Sequence, residues 1–365
     1  MGDALGAPVG RGSRRVAREP GRLFAALDLG TNNCRLLIAT PAAHGFRIVD
    51  SFSRIVRLGE GLTSSGRLGE AAMDRAVGAL AICADKIARH AAVRVRAVAT
   101  QACRTAENGA EFVARVADRT GIHLNIITPH EEAHLSVIGC LDLLDRRMKA
   151  ALVLDVGGGS TELSWIDLTG EGLDGDPRLA AARRLPIHAW LSAPLGVVTL
   201  AERFPDRAGG ELAGYRAMVE VVKAEIGRFS SADSLRAVFE AGDAHIVGTS
   251  GAITSLAGLH LGLPRYDRSR VDGLWMSRTD CEAVAGRLAG LSVAERGALA
   301  CIGPDRADLV LAGAAILQGV QELWPCDRVR VADRGLREGL LLKLMSEQAR
   351  GRPRRRRDRA SSRLP

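Results

Sequence analysis

The chain has 365 residues, of which 47% are hydrophobic and 25% are charged, a balance that excludes a disordered chain and predicts about two folded domains. The formal net charge is +8, but residues 1–22 contribute +3 and residues 351–365 contribute +6, so the remainder sums to about −1. Since the positive charge lies at the two ends, the folded part is not predicted to bind nucleic acid. The arginine-rich end is interpreted as a solvated tail, with weak attachment to a polyanion as the alternative.

Seven cysteines are scattered along the chain without a Cys-x-x-Cys pair, which favours reduced, buried thiols in a cytoplasmic protein. No stretch approaches 18 uninterrupted apolar residues, so no membrane span is predicted. The arginines near the N-terminus are not followed by the apolar segment of a signal peptide. Residues 1–21 are rich in Gly, Pro, Ala and Arg and are expected to be disordered, as are residues 347–365.

The first half of the chain opens with strands and then alternates strands with helices. Its predicted elements are strands at 23–27, 36–39, 46–49 and 55–58, a helix at about 70–89, a strand at 93–99, a helix at about 109–119, a strand at 124–127 and a helix that begins at 129. The helices are predicted from apolar residues that recur at helical spacing. This alternation indicates an α/β domain.

The second half of the chain repeats the pattern of a strand, an aspartate and a glycine-containing turn that begins the first half. An apolar strand at 151–154 ends in Asp155, three glycines and two hydroxyl residues follow, and Glu162 precedes a strand at 163–166. Asp28 follows the first strand in the same way, 127 residues earlier, so the two units are predicted to be duplicated halves that face a shared cleft. The later predicted elements are a strand at 244–247, a helix at about 306–322, a strand at 328–331 and a closing helix to about 345.

The stretch from Asp155 to Glu162 carries the strongest chemical signal. Its three adjacent glycines exceed the one or two that a tight turn needs, and glycines let backbone N–H groups converge on an anion. Asp155 and Glu162 are hard oxygen ligands of the kind that Mg²⁺ prefers. The stretch therefore predicts a phosphate cradle beside a metal carboxylate, with a glycine-rich hairpin turn as the alternative.

Four loops share one design, in which an apolar strand is followed by Gly, Ser, Thr or Asn together with a charge. They begin at Asp28, Asp155, Gly248 and Asp333. Ligands of open α/β sheets bind outside the carboxyl ends of the strands, and loops at helix starts offer backbone donors to anions. The four loops together therefore predict a polyphosphate-shaped ligand.

Helix capping predicts different roles for the two neighbouring acids, Glu131 and Glu132, at the start of the third predicted helix. Thr128 is a natural N-cap with Pro129 at the first helical position, and Glu131 then stands where a capping-box carboxylate reaches back to the N-cap amide. Glu132 points about 100° further round the helix, so it is either a general base that faces a cleft or a surface glutamate beside the helix dipole. Arg104, in a loop after a strand, is either a bidentate phosphate clamp or a surface arginine.

Six stretches now carry a family resemblance. In chain order they read AALDLGTNNCRLLIA, ATQACRTAEN, IITPHEEAHLS, LVLDVGGGSTELSW, VGTSGAITSLAGL and ADRGLREGLLL. With these motifs the chain resembles the exopolyphosphatase / guanosine pentaphosphate phosphohydrolase family (Ppx/GppA), within the actin-like ATPase superfamily, over residues 23–346. The resemblance implies an α/β fold of two ribonuclease-H-like domains, at 22–138 and 139–346, with the active site in the cleft between them. Long family members carry a further helical C-terminal region, so this chain is similar to the short members.

The resemblance also implies roles for individual residues. Glu132 is implied as the base that activates water. Asp28, Asp155 and Glu162 are implied to hold or orient Mg²⁺, or another divalent cation, and the attacking water. The residues implied to bind substrate phosphates are Thr31, Asn32, Asn33, Arg104, Gly157, Gly158, Gly159, Ser160, Thr161, Thr249, Ser250 and Gly251.

The expected reaction is metal-dependent hydrolysis of the terminal phosphoanhydride of inorganic polyphosphate, which releases orthophosphate. Guanosine pentaphosphate also presents a terminal phosphate, so its 5'-phosphohydrolase is the alternative. A polyphosphate- or alarmone-binding protein with little catalysis is a more remote alternative, because Glu132, Asp155 and Glu162 are present together. A kinase or ATPase of the superfamily lacks support from any distinct adenosine or acceptor motif. No specific nucleic-acid or membrane partner is expected, and a homodimer is left open.

Overall fold

The structure is a computed structural model of the chain, and it describes residues 22–92, 94–170, 184–205 and 212–350. The expected N-terminal tail and all but the first four residues of the expected C-terminal tail lie outside these ranges. Residues 347–350 are not a tail, because they form the end of the last helix. None of the helices in the described ranges is long and apolar enough to cross a membrane. All seven cysteines are buried and none forms a disulfide, as predicted.

The first sheet has five strands in the order β3-β2-β1-β4-β5. The strands are β1 Phe24–Leu29, β2 Asn33–Pro41, β3 Phe46–Ile55, β4 Arg94–Ala99 and β5 Leu124–Ile126. β1 pairs antiparallel with β2 and parallel with β4. β3 is one continuous strand, so the separate strand predicted at 55–58 is wrong: Val56 and Leu58 are fully buried, but they pack from an irregular segment.

The second sheet has six strands in the order β10-β11-β9-β6-β7-β8. The strands are β6 Ala150–Val156, β7 Thr161–Asp167, β8 Ile187–Ala193, β9 Ala244–Thr249, β10 Trp275–Met276 and β11 Val329–Ala332. β6 pairs antiparallel with β7 and parallel with β9, just as β1 pairs with β2 and β4. Apart from the added β10, the two sheets share strand order and pairing direction, which confirms the predicted duplication and the fold of two ribonuclease-H-like domains.

The helices cover the sheets and fill the space between them. Numbered in chain order they are α1 Leu62–Ser65, α2 Glu70–Arg89, α3 Gln101–Thr105, α4 Gly109–Thr120, α5 Pro129–Cys140, α6 Val197–Arg203, α7 Leu212–Ile226, α8 Ala232–Glu240, α9 Gly251–His260, α10 Arg268–Val271, α11 Arg278–Ala289, α12 Val293–Ala298, α13 Val310–Leu323 and α14 Leu336–Arg350. The helix predicted at 306–322 begins at Val310, because Pro304–Arg306 forms a separate 3-10 turn.

α5 and α14 lie between the two sheets and pack against each other. Their apolar side chains join residues of both sheets in one core. The helix backbones touch: a Cβ added at Gly139 would lie 2.0 Å from the carbonyl oxygen of Gly335, and one at Gly339 would lie 2.0 Å from that of Leu135. The domain boundary drawn between residues 138 and 139 falls in the last turn of α5, and the boundaries stay predictions.

Candidate active site

A cleft between the two sheets gathers the loops that follow β1, β6 and β9. These loops lie at the carboxyl ends of the parallel strands, where α/β sheets bind ligands. The predicted site residues that line the cleft are Asp28, Thr31, Asn32, Asn33, Glu132, Asp155, Gly157, Gly158, Gly159, Ser160, Ser250 and Gly251. The fourth predicted loop contributes less than expected, since the carbonyl oxygen of Asp333 accepts a hydrogen bond from Arg268 Nη2 at 2.6 Å and only Leu336 of that region lines the cleft among the described residues.

Two predicted phosphate ligands hold loops in place instead of facing the cleft. Thr161 Oγ1 donates a hydrogen bond to the carbonyl oxygen of Leu195 at 2.6 Å. Thr249 Oγ1 donates to the carbonyl oxygen of Arg334. Both side chains are buried, so each hydroxyl anchors one backbone segment to another.

The N-terminus of α5 explains why Glu132 reaches the cleft and Glu131 does not. Thr128 Oγ1 accepts a hydrogen bond from the Glu131 N–H at 3.1 Å, which confirms the predicted N-cap. The predicted capping-box contact is wrong, because the Glu131 carboxylate pairs with Arg96 and lies 3.7 Å from Lys343 Nζ. Glu132 is only 8% exposed and lines the cleft, so the surface-glutamate interpretation is wrong.

Arg104 contacts the candidate base and not the glycine loop. Its Nη1 donates to Glu132 Oε2 at 3.2 Å and to the carbonyl oxygen of Ile127 at 2.8 Å. Burial raises the pKa of Glu132 well above its ordinary value, Glu162 raises it further, and Arg104 opposes the shift. A carboxylate with a raised pKa is a stronger base and is better suited to accept a proton from water.

The glycine loop packs so closely against the first domain that a side chain on it would force its neighbours to shift. A Cβ at Gly159 would lie 1.9 Å from Gln101 Oε1, and one at Gly158 would lie 3.1 Å from the backbone nitrogen of Asn32. The loop does join β6 to β7 as a hairpin, with the Gly157 N–H donating to the Ser160 carbonyl at 2.9 Å. The glycines nevertheless let the other domain approach the loop closely, which a hairpin alone does not demand.

The start of α6 fixes the opposite side of this loop. The N–H groups of Val197 and Val198 donate to the carbonyl oxygens of Gly157 and Gly158 at 3.0 and 2.7 Å. These bonds hold the two carbonyls toward α6. A peptide plane whose carbonyl is fixed on one side presents its N–H to the other, which is the arrangement that anion-binding loops use.

Burial also raises the pKa values of three further carboxylates. The pKa of Asp28 is raised to about 6 by burial, partly offset by Arg35, and Asp155 adds a repulsive contribution. Burial raises the pKa of Asp155, against a hydrogen bond from Ser136. Burial and then Asp155 raise the pKa of Glu162 to about 7. Crowded acids of this kind favour a site where a cation compensates negative charge.

Of the three carboxylates predicted to bind Mg²⁺, Asp28 and Asp155 are placed where they could hold the ion together. In phosphoryl-transfer sites it is held by one or two carboxylates, with waters and phosphate oxygens as the other ligands. Asp28 and Asp155 face the same cleft and supply that donor set. Glu162 accepts a hydrogen bond from Ser192 Oγ at 2.8 Å, and its metal role stays a prediction. Within the ranges that the structure describes, no group of three or more His, Cys, Asp or Glu side chains is preformed for a metal.

Two arginines in the cleft were not predicted. Arg35 stands opposite Asp28 in the β1–β2 pairing, and Arg306 comes from the 3-10 turn. A Cβ at Gly251, the first residue of α9, would lie 3.2 Å from Arg35 Nη2 and 3.8 Å from Arg306 Cζ. Burial and then the nearby Arg337 lower the pKa of Arg35, so this end of the cleft is crowded with positive charge. The strand pairing could have indicated Arg35, whereas Arg306 has no local signal.

The asparagine loop leaves two polar atoms without protein partners. Oδ1 of Asn32 and Oδ1 of Asn33 are buried and make no hydrogen bond to the described residues, although both side chains line the cleft. Buried polar atoms are nearly always paired. Atoms of this kind at the wall of a cleft indicate a place where water or a ligand supplies the partner.

The two ribonuclease-H-like domains enclose a cleft that is lined by carboxylates, arginines and glycine-rich loops, as expected of a protein that acts on phosphate groups. The family model for the Ppx/GppA phosphatase family matches residues 37–348. The chain belongs to the Ppx/GppA phosphatase family.

Individual relatives carry two kinds of name. The chain is 32% identical over 333 residues to exopolyphosphatase 2 of Mycobacterium tuberculosis, a match that covers 88% of this chain and 98% of the relative. It is 27% identical over 336 residues to the guanosine-5'-triphosphate,3'-diphosphate pyrophosphatase of Photobacterium profundum, which covers 89% of this chain and 60% of that protein. The crystal structure of an exopolyphosphatase-like protein superposes with a TM-score of 0.76 at 30% identity and covers 89% of this chain and 99% of the other.

Proposed function

We propose that this protein is an exopolyphosphatase, which hydrolyses the terminal phosphoanhydride of inorganic polyphosphate and releases orthophosphate. The observation that carries the proposal is the position of Glu132, a buried carboxylate of raised pKa that lines the same cleft as the glycine loop. A base beside an anion-binding wall suits the attack of water on phosphorus. The name of the 32% identical relative, which the chain matches over nearly its whole length, supports polyphosphate as the substrate.

The chemistry is derived from the residues of the cleft. Glu132 accepts the proton of the water that attacks the terminal phosphorus, and Arg104 keeps the carboxylate oriented through its 3.2 Å contact. The backbone N–H groups of the glycine loop, together with Arg35 and Arg306, stabilise negative charge on the transferred phosphoryl group. Such stabilisation is where most catalysis of this reaction lies.

A divalent cation belongs to the proposal. Mg²⁺, or another divalent ion, would be held by Asp28 and Asp155 and would neutralise charge on the phosphate oxygens when bound. Ser136 donates a hydrogen bond to Asp155 and so orients one of these carboxylates. Burial raises the pKa of both carboxylates, so a bound cation would compensate the negative charge that burial disfavours.

Guanosine pentaphosphate is the second candidate substrate. It is favoured by the relative from Photobacterium profundum, although this chain spans only 60% of that protein. The cleft residues described above recognise phosphate groups, which the two substrates share. An alarmone-binding role with little turnover has less support, because Glu132 and its neighbours form a complete set for hydrolysis.

Phosphate release on polyphosphate, guanosine pentaphosphate and ATP, each with and without Mg²⁺, tests the proposal. We expect the fastest release from polyphosphate, dependence on the divalent cation, and little release from ATP. Faster release from guanosine pentaphosphate would transfer the assignment to the second substrate. Binding of polyphosphate without release of phosphate from any of the three compounds would overturn the enzymatic assignment.

A further inference from the structure

Residues 56–61, here called the bracing segment, are fixed to the loop at residues 31–33. The N–H groups of Val56 and Arg57 both donate to the carbonyl oxygen of Asn32, at 2.8 and 3.1 Å. The loop therefore moves only together with the segment that supports it from behind.

The bracing segment also reaches across to the second domain. Arg57 Nη1 and Nη2 donate to the two carboxylate oxygens of Asp308 at 2.7 and 3.0 Å, and Nη2 also donates to the carbonyl oxygen of Asp305 at 3.1 Å. The two-pronged contact is the strongest geometry available to an arginine and a carboxylate. The N–H of Gly61 adds a second contact between the bracing segment and the second domain, because it donates to Glu202 Oε1 at 2.9 Å.

The groups that Arg57 binds stand on either side of Arg306. Asp305 precedes Arg306 and Asp308 follows it by two residues, so the contacts of Arg57 hold this turn at both ends. Arg306 lines the cleft, and its Nη1 lies 3.4 Å from Ser255 Oγ. Arg57 thereby links the loop at 31–33 to the guanidinium group on the opposite wall.

The backbone of Arg57 supports a specific role for its side chain. Its φ is 47°, in the left-handed region that residues other than glycine adopt only at a cost. At another left-handed position of the bracing segment the chain carries a glycine, Gly61, with a φ of 71°. Arg57 therefore occupies a strained backbone position, and its side chain makes the contacts described above.

We propose that Arg57 is a positioning residue, which sets the separation between the two phosphate-binding walls of the cleft by pairing with Asp308. The inference rests on the proposed function, because both walls are assigned there to phosphate. Arg57 is not among the residues that line the cleft, so it acts through Arg306 and the loop at 31–33. Its loss should therefore weaken substrate binding more than turnover.

Arg57→Gly is the decisive variant, because glycine adopts this φ without strain and the backbone is kept while the pair is lost. We expect the KM for polyphosphate to rise about tenfold and kcat to stay within about threefold of the wild-type value. Asp308→Asn should have the same effect. The double variant should add little to either single variant, because both remove one interaction.

Two further variants serve as rescue and control. The charge-reversed pair, Arg57→Asp with Asp308→Arg, should return the KM to within about threefold of wild type, and aspartate tolerates the left-handed backbone. Arg67→Ala removes an exposed ion pair with Glu107 inside the first domain and should leave the KM unchanged. A folded Arg57→Gly variant whose KM stays within about twofold of wild type would overturn the proposal.

Amide hydrogen exchange on the substrate-free protein separates this inference from the proposed function. Arg57→Gly should speed exchange in residues 56–61 and 304–308 by at least about threefold, with the rest of the chain unchanged. If Arg57→Gly shows this faster exchange but the wild-type protein releases no phosphate, the proposed function is overturned. The role of Arg57 in linking the two walls of the cleft would still hold. Unchanged exchange in both segments would overturn the role of Arg57, whatever the substrate.

Discussion

Ser136 Oγ donates a hydrogen bond to Oδ2 of Asp155, and Ser136 stands one helical turn after Glu132 on α5. The helix that presents the candidate base therefore also holds a candidate metal ligand at the end of β6. Ser136 is only 1% exposed, so no bulk water can replace its hydroxyl. The base and the metal carboxylate are thus oriented by the same rigid element.

Removal of the Ser136 hydroxyl should release the Asp155 carboxylate from the helix that carries Glu132. We expect Ser136→Ala to lower kcat/KM by about tenfold to a hundredfold and to raise the Mg²⁺ concentration needed for half activation, since a hydrogen bond to a carboxylate is worth about 1.5–3 kcal/mol. The measurement is phosphate release across a Mg²⁺ titration. Ser346→Ala is the control, because Ser346 is a buried serine that donates to the Lys343 carbonyl of its own helix. An unchanged Mg²⁺ requirement in Ser136→Ala would refute this coupling.

Glu132 should set the pH dependence of turnover. Its pKa is raised by burial, and a base must be ionised to accept a proton, so kcat should rise as the pH increases through that raised value. Glu132→Gln keeps the shape of the side chain but cannot take up the proton, and should lower kcat by about 10²–10⁴-fold. Glu131→Gln, one residue away and paired with Arg96, should retain turnover. The assignment fails if both variants show the same kcat and pH profile as wild type.

Glu162 should make the substrate-free protein less stable at alkaline pH. Its folded-state pKa of about 7 exceeds its ordinary value of 4.5, so the folded form holds the proton more tightly than the unfolded form. This contribution is fully present below pH 4.5 and is lost as the pH rises through about 7, with a loss on the order of 3 kcal/mol. Thermal unfolding at pH 5 and pH 8 measures it. Glu162→Gln should show a smaller decrease in Tm between these pH values than the wild-type protein. An equal decrease in the two proteins would exclude the raised pKa of Glu162.

A divalent cation should restore stability where the carboxylates are ionised. We expect Mg²⁺ to raise the Tm at pH 8 and to have little effect at pH 5, because Asp28, with a pKa of about 6, is protonated at the lower pH. At a Mg²⁺ concentration a hundred times its dissociation constant, the gain is about 2.7 kcal/mol. Asp155→Asn should abolish the effect, whereas Asp74→Asn, at an exposed position of α2, should retain it. An equal Tm increase in Asp155→Asn would remove Asp155 from the metal site.

The duplicated fold could be predicted because its signals are local. A strand, an aspartate and a glycine turn lie within a few residues of one another, at Asp28 and again at Asp155. The N-cap at Thr128 is equally local, but it left the direction of Glu132 open between the cleft and the surface. Where the prediction erred at 55–58, the apolar pattern of Val56 and Leu58 reflects burial of an irregular segment, which composition does not distinguish from a strand.

The contacts that join distant segments could not be predicted. Arg57 and Asp308 are 251 residues apart in the chain, and no pattern along the sequence links them. Residue type in a loop also leaves the direction of a side chain open. The family resemblance implied phosphate contacts for Thr161 and Thr249, but their hydroxyls donate to backbone carbonyls in the folded protein.

The contact between α5 and α14 gives the last prediction, because two glycines there have no room for a methyl group. A Cβ at Gly139 would lie 2.0 Å from the carbonyl oxygen of Gly335, just before α14, and one at Gly339 would lie 2.0 Å from that of Leu135 in α5. Either alanine variant must therefore push the two elements apart. We expect Gly139→Ala and Gly339→Ala each to lower the free energy of unfolding by about 3 kcal/mol or more. Gly78→Ala on α2 is the matched control, since nothing lies within 4 Å of its Cβ position.

The control should change stability in the opposite direction. Alanine is a better helix former than glycine by about 1 kcal/mol, so Gly78→Ala should stabilise the protein slightly while the two interface variants destabilise it. Because α5 also carries Glu132, a shifted α5 in a folded Gly139→Ala variant should lower kcat as well, whereas Gly78→Ala should not. Urea unfolding and phosphate release on the same three variants measure both effects. If Gly139→Ala were as stable and as active as Gly78→Ala, the two helices could not be in backbone contact, and α5 would not hold Glu132 against the second domain in the way described here.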